Sequence, residues 1–145
     1  MTLTFSVEGL PPKKDGANSM WRKGSELDKL KALRLAASQA MAGRPPFSGP
    51  LQLKVTIHAD PRSGDLDNFI TGICDGLMAA HPATPIDAPA WSEVPPESQP
   101  SRAIAFTDDA AISRIQAERM PLEGRAGQYK IEVSEYRSGA HAVSA

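Results

Sequence analysis

The sequence predicts an α+β fold: a small mixed β-sheet of about four strands with two main helices packed on it. Three observations lead there. Leu51, Leu53, Val55 and Ile57 alternate with Gln52, Lys54, Thr56 and His58, the period-two signature of a half-buried strand. Leu66, Ile70, Ile73 and Leu77 recur at helical spacing immediately afterwards. The chain has 145 residues, enough for one hydrophobic core without disulfides or structural metal, so residues 1–137 are taken as a single domain.

The elements follow in order. Thr2, Thr4 and Ser6 alternate with Leu3, Phe5 and Val7, which predicts a first strand ended by Gly9 and Pro11-Pro12. The next residues, Lys13-Lys14-Asp15-Gly16-Ala17-Asn18, have the turn formers and cations of a loop that could contact a phosphate backbone. Leu27, Leu30, Leu33, Arg34, Ala37 and Met41 mark an amphipathic helix, with Ser25 as its cap and Gly43 as its stop. After the strand at 51–58, the turn Asp60-Pro61-Arg62-Ser63-Gly64 leads into a second helix reaching about Ala80, with Asn68, Thr71 and Asp75 on its polar stripe.

Residues 81–106 hold six prolines and almost no periodicity, and are read as a flexible insertion that is either functional or disordered. Trp91, Asp87, Glu93 and Glu97 lie in it, and its return to Asp108 would let it gate a site there. Ala111 to Met120 and Gln128 to Tyr136 read as two closing strands around a Pro121–Gly127 turn, although the first also has helix-compatible spacing from Asp109 to Arg119. The tail from Ser138 is small and weakly patterned, and disorder is expected for 138–145.

Composition narrows the function classes. The single Cys74 excludes an internal disulfide, no stretch has the length of a membrane span, and the amino terminus lacks a secretory pattern, so a cytoplasmic location is expected. The net charge of −1 gives little general attraction for nucleic acid, but it hides a split. Residues 1–64 carry ten Lys/Arg against five Asp/Glu, and residues 65–145 carry six against twelve. A basic half beside an acidic half suits a protein that holds cations with one and phosphates with the other.

Asp65 and Asp67 are two apart in an extended segment, so both carboxylates point to one side just before the second helix. A divalent cation would hold such a pair ionised, and Mg²⁺ needs only one or two carboxylates plus substrate phosphate. Asp108-Asp109, opening the next strand, offers a third acid. His58, His81 and His141 have no zinc-like spacing, and Cys74 reads as a buried structural thiol. Trp21 with Arg22 and Lys23 offers a stacking surface for a base, against the commoner fate of an aromatic ring in a core.

Asp65-Leu66-Asp67-Asn68, then Asp75, then Asp108-Asp109 before Ala110, Ala111 and Ile112, resembles the RusA family of Holliday-junction resolvases. The likeness takes in the first strand running into Leu10-Pro11-Pro12, the Asn18–Arg22 stretch and the closing strands; 81–106 and the tail lie outside it. It implies a homodimeric endodeoxyribonuclease acting on branched DNA such as four-way junctions in recombination and repair, with Mg²⁺ or Mn²⁺ held by Asp65, Asp67 and Asp109. Asn68, Asp75 and Asp108 would support those ligands, Asn68 by orienting a carboxylate or capping the helix. Lys13, Lys14, Arg22, Lys23, Lys54 and Arg62 are the candidate DNA contacts. The family places a catalytic lysine four residues after the second aspartate, where this chain has Thr71; Lys54, Lys13, Lys14 or Arg62 could supply that charge from another element. Two other functions are therefore carried forward: a branched-DNA-binding protein of the same fold impaired in cleavage, and a metal-dependent hydrolase of small phosphoesters.

Overall fold

The computed structural model describes residues 2–13, 19–22 and 24–137. It is α+β, with a four-stranded mixed sheet and two main helices: β1 (Thr2–Glu8), α1 (Gly24–Met41), β2 (Leu51–His58), α2 (Leu66–Leu77), β3 (Ile112–Met120) and β4 (Gln128–Glu135). α1 begins at Gly24, so Ser25 is already in its first turn rather than capping it; Gly43, at φ +81°, follows its end. The carboxy-terminal residues expected to be disordered lie outside the described ones.

Sheet order is β1-β4-β2-β3, with β4 antiparallel to β1 and β2, and β2 parallel to β3. The two closing strands therefore do not pair with each other, because β2 runs between them. Side-chain chemistry explains the order. The inward residues of β2, Leu51, Leu53, Val55 and Ile57, are all essentially inaccessible, as a central strand requires. β3 exposes Ser113, Arg114, Ile115 and Gln116 in succession, a composition suited to an edge. One face of the sheet packs on α1 and α2 around Leu33, Ala37, Phe69, Ile73 and Leu77. The other is polar and open, with Lys54 and Lys130 reaching Glu132 at 4.0 and 3.7 Å.

The 81–106 segment is not a loose excursion. Trp91 is 1% exposed, stacks on Trp21 with ring centres 5.9 Å apart, and joins Met20, Leu27, Leu30 and Val94 in a second apolar cluster. The segment is held by polar contacts to backbone, which leave no periodic signal. Gln99 Nε2 donates to the carbonyls of Trp91 and Val94, each at 2.7 Å. Ile104, Ala105 and Phe106 then enter the main core, and the amides of Ile104 and Ala105 both donate to the Leu77 carbonyl at 3.1 Å.

Arg34 ties this segment to both helices. Its guanidinium is inaccessible and uses all five N–H donors on carbonyls: Nε to Ser98 (3.1 Å), one terminal nitrogen to Gly76 and Met78 (2.7 Å each), the other to Gln99 (2.7 Å) and Arg102 (2.6 Å). Two acceptors belong to the end of α2, where carbonyls lack helical partners and the helix dipole favours a cation. The Trp21 ring covers the guanidinium at 5.2 Å. Burial lowers the Arg34 pKa to about 10, still leaving it charged at neutral pH.

Candidate metal and phosphate site

The residues before α2 present Asp65 and Asp67. Asp60 closes the turn that precedes them, its carboxylate accepting the Arg62 amide at 2.8 Å, and Pro61–Ser63 forms one turn of 3₁₀ helix. Gly64 follows at φ +151°, a conformation that a side chain would strain. Asp65 is then the extended residue at the amino end of α2, and its carboxylate makes no capping bond there. Asp67 lies in the first turn, with Oδ1 accepting the Asn68 amide at 3.1 Å. Both aspartates are exposed, and among the described residues neither forms an ion pair. Two such oxygen donors, uncommitted to any described cation, fit a hard ion such as Mg²⁺.

Arg119, at the far end of β3, braces this turn. One terminal nitrogen donates to the Pro61 carbonyl at 2.8 Å, the other to the Gly64 carbonyl, and the guanidinium lies 5.9 Å from the centre of the Phe69 ring. Sequence reasoning missed it. The available signal was parity: pairing puts Ile115, Ala117 and Arg119 of β3 in rows with Leu53, Val55 and Ile57, so Arg119 is a cation on the inward side of its strand.

Lys13 arrives from another direction. A methyl group on Gly72 would stand 2.0 Å from the Pro12 carbonyl oxygen and 3.3 Å from Lys13 Cα, so the 12–13 backbone rests directly on α2. The Lys13 amide donates to Glu26 at 2.7 Å, which fixes the segment to α1 as well. From there the Lys13 stem lies against Gly64, its Cδ 3.1 Å from where a Cβ would be, one residue before Asp65. Among the described residues its ammonium has no ion-pair partner. The close approach at Gly72 yields a prediction: Gly72→Ala should lower stability by about 1–3 kcal/mol, as overpacking of rigid backbone does, read as a fall in the urea midpoint.

Other candidates are placed differently. Asp109 lies at the opposite end of α2, its amide donating to Met78 Sδ at 3.1 Å. With Asp75 it flanks Cys74, seven residues beyond Asp67, or about 10 Å along the helix at 1.5 Å per residue. Among the described residues no three His, Cys, Asp or Glu side chains gather closely enough to hold a metal, so the expected three-carboxylate pocket of Asp65, Asp67 and Asp109 is not assembled here. Asp108 instead caps the short turn Asp109–Ala111 by accepting the Ala110 amide at 2.9 Å. Among the described residues Asn68 neither caps α2 nor bonds a carboxylate through its side chain; its backbone amide donates to Asp67 Oδ1. The Thr71 hydroxyl turns back to the Asp67 carbonyl at 3.0 Å, the local bond open to a threonine in a helix.

Lys54 shares the open sheet face with Glu132, away from the helices, and is not a cation of this site. Arg62 is almost fully exposed beside Asp60, at 3.5 Å. Arg22 is exposed, whereas Trp21 is core rather than a base-stacking ring. Lys14 and Lys23 lie outside the described residues.

No protein-family model matches this chain, and no curated protein matches it either.

Cys74 is chemically quiet. Burial pushes its thiol pKa up to about 12, with Asp109 and then Asp75 adding to the shift. Burial raises the Tyr129 hydroxyl in the same direction. A group raised on folding stabilises fully below its unfolded value and loses that contribution as pH climbs to its folded one. Stability should therefore fall between about pH 9 and pH 12. At pH 8 the native thiol should resist a disulfide-exchange reagent and react once urea unfolds the chain; rapid native labelling would contradict its burial.

Proposed function

We propose that this chain is a Mg²⁺-dependent, structure-selective endodeoxyribonuclease that resolves Holliday junctions or related branched DNA in recombination and repair, acting as a homodimer in the cytoplasm. One observation carries the reading: the Asp65-Leu66-Asp67-Asn68 segment that resembles RusA-family resolvases stands exposed at the start of α2, its two aspartates unpaired by any described cation. Asp65 and Asp67 would hold the ion. Mg²⁺ bound there supplies Lewis-acid polarisation of a phosphodiester and an acidified water.

The chain's own residues set the rest. Arg119 and Gly64 hold the turn so that Asp65 leads into the helix. Lys13, whose ammonium has no ion-pair partner among the described residues, would offer it to phosphate near the carboxylates, in the role that the family gives to a lysine at the position of Thr71. Loss of such a charge costs on the order of a hundredfold in rate, so a replacement from a separate element is a requirement of the reading. An exposed helix start also suits a long phosphodiester backbone better than a small ester, which binding sites usually enclose in a concavity.

The second reading, a branched-DNA-binding protein impaired in cleavage, is favoured by Thr71 and by the distance of Asp109 from the pair. Incubation with a synthetic four-way junction and Mg²⁺ separates the two. Paired nicks that vanish with EDTA support the nuclease; a mobility shift with intact strands supports the second reading; neither cleavage nor a salt-sensitive shift removes both.

A further inference from the structure

Among the described residues both outer strands of the sheet present an unpaired backbone edge, but they differ in what surrounds it. On β1 the inward residues Leu3, Phe5 and Val7 are covered to 9% exposure or less. On β3 the inward residue Ile115 is 50% exposed, and Met120 is 38% exposed at the strand end. An uncovered hydrophobic residue on an open edge is the feature that edge strands ordinarily avoid, and residues 113–119 contain no proline to blunt it.

The order of side chains along β3 specifies what would pair there. In an antiparallel ladder of two identical strands, the residues facing one another have numbers with a constant sum. Keeping each face of the sheet continuous requires that sum to be even, so that the two-fold axis passes through a residue. With the axis at Gln116, Arg114 faces Glu118 twice, Gln116 faces its own counterpart, and Ile115 faces Ala117. Moving the axis to Ile115 sets Arg114 against Gln116, and moving it to Ala117 sets Arg114 against Met120. Only the central register matches both charges, and it brings the two Ile115 side chains into diagonal reach on the inward face.

We infer that the β3 edge is the self-association surface of this chain, joining two copies antiparallel about Gln116 into one continuous eight-stranded sheet. Arg114 and Glu118 set the register, and Ile115 supplies the apolar contact. The charges act here as a key for one partner, since any other even register leaves them unmatched. The surface stands without any assumption about activity, but its consequence for two active sites rests on the proposed nuclease reading. Arg119, which braces the turn before Asp65, would lie opposite Ser113 of the other copy. The two Arg119 residues would then be six positions apart, about 20 Å at 3.3 Å per residue, with both α2 helices on the same face.

Sedimentation of the full chain should show twice the monomer mass. Arg114→Glu and Glu118→Arg should each weaken the dimer at least tenfold, and the double exchange should restore it. Gln116→Cys should cross-link into a covalent dimer under mild oxidant, with buried Cys74 not competing, whereas Thr4→Cys on β1 should stay monomeric on a denaturing gel. A monomer at all concentrations, cross-linking through Thr4→Cys, or no rescue by the double exchange would each overturn the assignment. Junction cleavage is scored separately in the same variants: a dimer without cleavage faults only the nuclease reading, whereas cleavage by a monomer faults this surface and the proposed homodimer but leaves the nuclease chemistry standing.

Discussion

Replacing Arg34 by methionine is expected to lower the free energy of unfolding by about 4 kcal/mol, the largest loss from any single substitution considered for this chain. Five carbonyls, from Gly76, Met78, Ser98, Gln99 and Arg102, take their hydrogen bonds from this one side chain in the interior. An unsatisfied buried acceptor costs roughly 1–3 kcal/mol, and methionine fills the volume while satisfying none. Small domains are stable by only about 5–15 kcal/mol, so the variant should be marginal at 37 °C. Arg34→Lys keeps the charge but has three donors for five acceptors, and should recover only part of the loss. Chemical denaturation followed by far-UV circular dichroism reads both. A midpoint for Arg34→Met within error of the parent would show that the carbonyl network contributes little and that the 81–106 segment is held by the Trp21–Trp91 cluster alone.

Asp67→Asn should reduce four-way-junction cleavage by at least about a hundredfold while leaving the melting temperature within about 2 °C of the parent. The side chain is exposed and among the described residues its only bond is to the adjacent amide, which an asparagine oxygen can also accept, so folding is not expected to depend on its charge. Metal binding does. Mn²⁺ affinity, followed by calorimetry on the free protein, should fall tenfold or more in Asp67→Asn. In Asp109→Asn it should change by less than about threefold, because Asp109 sits beside Met78 and Cys74 rather than with the pair. Equal losses in the two variants would show that the three acids act as one metal site after all, and undiminished cleavage in Asp67→Asn would remove that residue from the reaction.

Local patterns carried a large part of this protein. The alternation at 51–58 located β2 at its observed limits, and helical spacing placed the start of α2, so Asp65 and Asp67 were legible as carboxylates at a helix entrance. These signals come from side-chain periodicity against a nearby core, and that is written in consecutive residues. Arg34 was visible on the apolar stripe of α1, yet nothing in its neighbours announced its role, because its partners are carbonyls from residues 42 to 68 positions away. Carbonyls are the same in every residue and leave no trace in composition. For the same reason the proline-rich 81–106 segment gave no sign of being packed.

The sequence by itself determined the α+β class, the two helices, β1 and β2, and the acidic segment at the start of α2. Only the tertiary structure decided strand order, since the closing strands alternate alike whether they pair with each other or are separated by β2. It also decided which lysine stem lies against the turn before the aspartates. Lys54 turned to the open sheet face by strand parity, while Lys13 was drawn to Gly64 because Gly72 lets the Pro12–Lys13 backbone lie on α2. Asp109 was assigned to the far end of that helix by the path of the chain between Leu77 and β3. Each of these is a contact between residues distant in sequence, set by how apolar faces close on one another.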